Sequence, residues 1–181
     1  MAGMIDPAIG TLLAGAFALL FASAALNKLR DLALFAQVLA AYRVLPGAAR
    51  LAWLVPFTEV LVGAGLLLPG TRPAAAALGT GLLVLYALAM AVNLLRGRRE
   101  LSCGCGGPNE RRPIGAWMVW RNLLLAGALA LVILPWTLRP LQPVDLLTVA
   151  AGIAVAALIY MSADGLLARI APRTLGWERP Q

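Results

Sequence analysis

The sequence predicts an all-α membrane protein: a polytopic bundle of four to five transmembrane helices with one amphipathic helix on the surface. Three observations carry that prediction. Hydrophobic residues fill 61% of the 181 positions and charged residues only 13%, and the mean hydropathy is +0.85, more apolar than a water-soluble domain of this size. The apolar residues gather in runs close to the roughly 20 residues needed to cross about 30 Å of hydrocarbon. The basic residues fall between those runs, where spans end and headgroups begin.

Taken in order, the first span covers 8–26. The stretch before it, MAGMIDPAIG, has no basic n-region of a secretory signal, so this run is expected to be retained. Then comes DLALFAQVLAAYRVLP, in which Leu32, Phe35, Leu39 and Tyr42 recur every three or four residues. That spacing puts one apolar stripe on a helix lying at the membrane surface or against the bundle. Further spans follow at 51–69, 74–95, 114–136 and 144–161. Pro46, Pro69, Pro73, Pro113, Pro135 and Pro140 punctuate the joints, where a missing N–H costs least. Trp53, Trp117 and Trp136 stand near span ends, a position that suits amphipathic rings. The pairs Gly63/Gly65 and Gly79/Gly81 read as helix-packing positions. Residues 1–170 form one transmembrane domain and 171–181 a short tail.

The net charge of +7 is no nucleic-acid signal, because no aromatic residues interleave with the basic ones to make a groove. Arginines meeting anionic headgroups explain it, so the partner it implies is the lipid bilayer. Five spans put Lys28, Arg30, Arg43, Arg50, Arg96, Arg98, Arg99, Arg111, Arg112, Arg169, Arg173 and Arg179 on one face, and leave Arg72 and Arg139 on the other. The positive-inside rule makes the crowded face cytoplasmic. The chain has no histidine, which excludes imidazole acid–base catalysis and every His-ligated metal or haem site.

Polar residues inside the spans gather toward the crowded face. Glu59 stands eight residues beyond Leu51, about 12 Å deep, and Arg121 lies at nearly the same depth in the fourth span. Asn93 ends the third span, Lys28 lies just past the first, and Asn122 is beside Arg121. A charge at the bilayer centre costs about 2.5–3.5 kcal/mol even on the lenient insertion scale, so Glu59 and Arg121 should face the bundle, most simply as a pair. Such a pair either fixes helix register or marks a polar cavity descending from the loop above.

That loop, LSCGCGGPNERRP, holds both cysteines of the chain, Cys103 and Cys105. Two plain interfacial thiols would rarely fall together inside a glycine cluster. Zinc needs four ligands, and one chain supplies two, so a metal role requires a thiolate-sharing dimer or a soft two-coordinate ion such as Cu(I) on Cys103 and Cys105. A redox-active disulfide suits the stretch better. Its Cα atoms must come within about 4.4–6.8 Å, and Gly104 permits the turned conformation that residues two apart then need. A bridge closing so small a ring is strained and therefore oxidising. Arg98, Arg99, Arg111 and Arg112 favour the attacking thiolate. Thiol–disulfide exchange leads, with soft-metal binding or transport and a non-catalytic assembly factor as alternatives.

The runs ALNKLRD, AYRVLP, PFTEVLVGAGLLLP, YALAMAVNLLRGRRELSCGCGG and WRNLLLAGALA, in that order, resemble the methylamine-utilisation protein MauE family, a DoxX-related group of redox-associated membrane proteins. The likeness covers about residues 24–131, and the CGC after NLLRGRRE is its most specific element. The resemblance implies a multi-pass protein of the bacterial cell (inner) membrane. It implies a role in maturing an extracytoplasmic client such as the disulfide-rich small (light, or β) subunit of methylamine dehydrogenase, alongside a thioredoxin-like membrane-anchored partner. It also marks Cys103 and Cys105 as the redox pair, and Glu59, Asn93, Arg96, Arg121 and Asn122 as motif positions of unstated role. One departure is Gly106, where the family often has an aromatic residue. Charge counting puts the thiols in the cytoplasm, whereas the implied client folds outside. Movement of the pair within the bundle, an outward-facing loop, or a quinone completing the circuit would each reconcile the two.

Overall fold

Helix follows helix through the computed structural model, which describes residues 6–43, 47–101, 113–134 and 139–174. The elements are α1 (Pro7–Arg30), α2 (Leu32–Tyr42), α3 (Leu54–Leu67), α4 (Arg72–Leu95), α5 (Ala116–Ala130) and α6 (Pro143–Thr174), with single 3₁₀ turns at Ala48–Leu51 and Leu131–Ile133. There is no strand among the described residues. Five stretches are long and apolar enough to cross a membrane: Pro7–Arg30, Ala49–Leu67, Arg72–Leu95, Ala116–Ile133 and Pro143–Ala163.

The helix ends follow capping chemistry more than hydropathy. α1 begins where the Asp6 side chain accepts the Ala8 N–H at 2.8 Å, with Pro7 pre-set for the first turn. It was expected to close at 26 but runs on to Arg30, so Lys28 is inside the helix. Asp31 then breaks the chain direction and caps α2, its carboxylate accepting from Leu34 N–H at 2.9 Å. α4 ends in a Schellman turn. Gly97 adopts φ 73°, its N–H reaches the Leu94 carbonyl at 3.0 Å, and the Arg98 N–H reaches that of Asn93 at 3.0 Å. The fifth spanning helix continues past the expected 161 to Thr174, because no capping break stands where hydropathy falls.

α1, α3, α4 and α5 form the bundle, with α1 against α3, α3 against α4 and α4 against α5, while α1 closes the ring on α5 and the turn after it. α6 stands outside, chiefly on α1. Glycines set the close approaches. A methyl on Gly79 would lie 2.8 Å from Val62, 2.9 Å from Leu129 and 3.1 Å from Phe21, so this one residue is the point where all four bundle helices meet. A methyl added at Gly63 would lie 3.3 Å from the Ala18 carbonyl, and one at Gly65 2.8 Å from Ala75. Gly81, expected to be a packing position, has nothing within 4 Å and faces outward. α1 and α6 interlock reciprocally: Ile153 seats over Gly15, and Leu12 over Gly152.

The core divides along the bundle axis. Its main cluster, including Phe17, Phe21, Val62, Leu66, Leu83 and Leu129, fills the half away from the cysteine loop. A second cluster of Tyr42, Met90, Ile114 and Met118 closes the loop end. Four polar residues are also buried: Lys28, Glu59, Asn93 and Asn122.

Candidate functional site

Cys103 and Cys105, with Arg111 and Arg112, lie outside the described residues. The loop that carries them is defined by its two ends. Ile114 N–H donates to the Leu101 carbonyl at 2.9 Å, closing the loop at its base. Ile114 is part of the second apolar cluster and Leu101 packs against it, so the base is held on α2, α4 and α5. The end of α4 is pinned as well. Arg96 donates to the carbonyl of Arg43 at 3.4 Å, a residue in left-handed conformation (φ 49°) at the end of α2. Arg98 donates to the side-chain oxygen of Asn93 at 3.1 Å.

Beneath this loop base sits a buried charge centre. Lys28 Nζ donates to Glu59 Oε1 at 2.6 Å, with Lys28 4% and Glu59 0% exposed. The Tyr86 hydroxyl donates to the same oxygen at 2.8 Å. The ammonium also lies 5.6 Å from the ring centres of both Phe35 and Tyr86, so aromatic faces flank it where water is excluded. Glu59 Oε2 has no hydrogen-bond partner. The partner of Glu59 is therefore Lys28, not Arg121 as expected. The guanidinium of Arg121 instead stacks on Trp117 at 5.2 Å and on Tyr160 of α6 at 5.9 Å. Depth alone made the two cations equivalent, and azimuth around the helices separates them.

The six polar residues singled out from the sequence thus fall into distinct groups. Lys28 and Glu59 form one centre. Asn93 and Arg98 form another at the end of α4, with Arg96 bridging to α2. Asn93 and Asn122 each donate back one turn, to the carbonyls of Ala89 at 3.0 Å and Met118 at 2.8 Å, which satisfies a buried amide locally. Tyr86 was missed, although it stands seven residues before Asn93 and so two turns up the same helix face. Asp31 was missed as a cap.

The space beside the charge centre is a cleft of about 70 Å³, lined by Lys28, Phe35, Tyr42, Val55, Tyr86 and Met90. A cavity that takes a benzene ring has about 150 Å³, so a quinone ring does not fit this cleft, and no chemistry is routed through one. Among the described residues no three His, Cys, Asp or Glu side chains group to hold a metal.

Spanning helices around a buried lysine–glutamate centre, with a tied loop above it, define a polytopic helical membrane protein whose polar groups are concentrated at one end. Residues 6–137 match the family described as Methylamine utilisation protein MauE, and the chain belongs to that family. It is 39% identical over 166 residues to Methylamine utilization protein MauE of Paracoccus denitrificans, covering 89% of this chain and 88% of that one. Identity to the protein of that name from Methylophilus methylotrophus is 37%, over 88% of this chain and 86% of the relative. For Methylorubrum extorquens it is 36%, over 89% and 87%. No solved structure matches the chain.

Proposed function

We propose that this protein acts in methylamine utilisation as a membrane thiol–disulfide exchange protein, with Cys103 and Cys105 as the redox pair and the helices as their mount. The client is an extracytoplasmic disulfide-rich protein such as the small subunit of methylamine dehydrogenase, and a thioredoxin-like membrane-anchored protein is the exchange partner. The observation that supports this reading is the CGC pair in a chain of the MauE family, on a loop whose base is tied by the Ile114–Leu101 hydrogen bond.

The exchange needs no further cofactor. A client thiolate attacks one sulfur of the Cys103–Cys105 bridge, and the other sulfur leaves as a thiolate. A second client thiolate then resolves the mixed disulfide, so the client gains its bridge and the pair is left as a dithiol. A disulfide of the thioredoxin-like partner reoxidises the pair by the same two steps. A strained bridge favours oxidation of the client, and the arginines of the loop stabilise the departing thiolate.

Cys103→Ala and Cys105→Ala variants, each isolated under rapid alkylation, test the proposal. One of them should accumulate a mixed disulfide with the client or with a thioredoxin-like protein. If neither traps either, and the reduced wild-type protein binds one Cu(I) that each variant loses, the soft-metal alternative replaces it. Labelling the cysteines from each side of intact cells, with and without reductant, reports which face the pair serves.

A further inference from the structure

The cleft beneath α2 has a chemistry that the thiols do not use. Lys28 lines it, and an ammonium carries three N–H donors. One goes to Glu59 Oε1 at 2.6 Å, the rings of Phe35 and Tyr86 lie 5.6 Å away as weak acceptors, and among the described residues the ammonium of this side chain, whose residue is 4% exposed, makes no other hydrogen bond. Leaving a buried donor without an acceptor is costly, more so when it is charged. The remaining donors therefore call for an acceptor inside the cleft.

The walls limit what that acceptor is. Besides the phenols of Tyr42 and Tyr86 they are apolar: Phe35 from α2, Val55 from α3, and Met90 from α4. The body of an occupant must be apolar as well. Its charge is constrained too. Lys28 and Glu59 already neutralise each other, so an anion would bring an uncompensated charge into a low-dielectric site. A neutral oxygen acceptor avoids that. The volume of about 70 Å³ admits a carbonyl with a few carbons but not a ring.

We propose that this cleft binds the carbonyl oxygen of a neutral, aliphatic molecule on the Lys28 ammonium, with α2 as its roof. A carbonyl at this depth has two sources, the ester of a membrane lipid or a free ketone-type compound, and the chemistry recognised is the same. The proposal does not depend on what the cysteines do.

The probe is a long-chain methyl ketone carrying a diazirine on its chain, photolysed with the full-length protein in detergent. Adducts are expected on α2 residues 38–39 and on Met90, with the ketone displacing the probe at least about tenfold better than the matching alkane or carboxylate, as one hydrogen bond to a charged donor allows. Ala89→Phe narrows the cleft while leaving Lys28, Glu59 and Tyr86 in the sequence, and should abolish those adducts. The paired variant Lys28→Met/Glu59→Gln should reduce ketone preference to that of the alkane. Competition by an ester phospholipid but not its ether analogue identifies the lipid as the source; competition by neither identifies a free carbonyl compound. Equal labelling by ketone and alkane probes, or adducts indifferent to Ala89→Phe, would overturn the proposal and leave a cleft that holds water only.

Discussion

At the scale of single residues, the Lys28–Glu59 pair decides most. Each charge alone at this depth is prohibitive, and their mutual attraction offsets the loss of hydration only while both are present. Lys28→Met should therefore destabilise the protein by about 3–5 kcal/mol, because it strands a buried carboxylate. Adding Glu59→Gln should recover a large part of that loss. Thermal or denaturant unfolding of the purified single and double variants measures the coupling, and simple additivity of the two single effects would show that the groups act independently. Gly79 makes the second prediction at this scale. With Val62, Leu129 and Phe21 already against it, Gly79→Ala overpacks the four-helix junction and should cost about 1–3 kcal/mol. Gly81→Ala, which meets nothing within 4 Å, should be neutral or stabilising by up to about 1 kcal/mol. A matched pair of melting curves distinguishes them.

Among the elements, α6 is held least. Only 6% of its spanning window is buried, and it grips α1 through the Gly15–Ile153 and Gly152–Leu12 notches. Its start is tied by Arg139, which donates to Asp6 at 3.0 and 3.1 Å and to Asp145 at 2.7 and 3.0 Å. The Arg139 guanidinium, with help from the Ala8 N–H, holds the Asp6 carboxyl below its ordinary value of 3.8. A lowered carboxylate pKa means the tie is present above that value and is lost as pH falls through the lower, folded one. Crosslinking between cysteines placed at Leu12 and Gly152 should therefore hold down to the ordinary value of 3.8 in an otherwise wild-type chain and weaken only as pH falls below it, toward the Asp145 value of about 2. In Arg139→Gln it should be weak at every pH. Because the tie is exposed, added salt should also loosen it. A yield in Arg139→Gln equal to that of the otherwise wild-type chain at pH 7 would show that the glycine notches alone hold α6.

For the molecule as a whole, five stretches long and apolar enough to cross a membrane predict that the two ends of the described chain lie on opposite faces. A reporter joined before Asp6 and one joined after Thr174 should therefore respond from opposite sides, and the arginine count places the second one inside. Reporters active on the same side would reduce the number of crossings. The architecture was legible in the sequence because bilayer thickness sets the length of an apolar run, and that length survives any packing. Depth was legible too, since each residue advances a helix by a fixed rise. Azimuth was not. Lys28 and Arg121 both lay within reach of the depth of Glu59, and only the packing of α1 on α3 selects Lys28. Helix ends were misjudged where capping, as at Asp31, overrides the fall in hydropathy at Asn27 and Lys28. The thiols are the reverse case: the chemistry expected of them is local to three residues outside the described ones, so the packing of the helices does not bear on it.

The tie from Arg139 to Asp6 spans 133 positions of the chain. During synthesis the first helix must wait in the bilayer until α2 to α5 have emerged from the ribosome before this bond forms. The bond thereby joins the start of α1 to the segment that leads into α6.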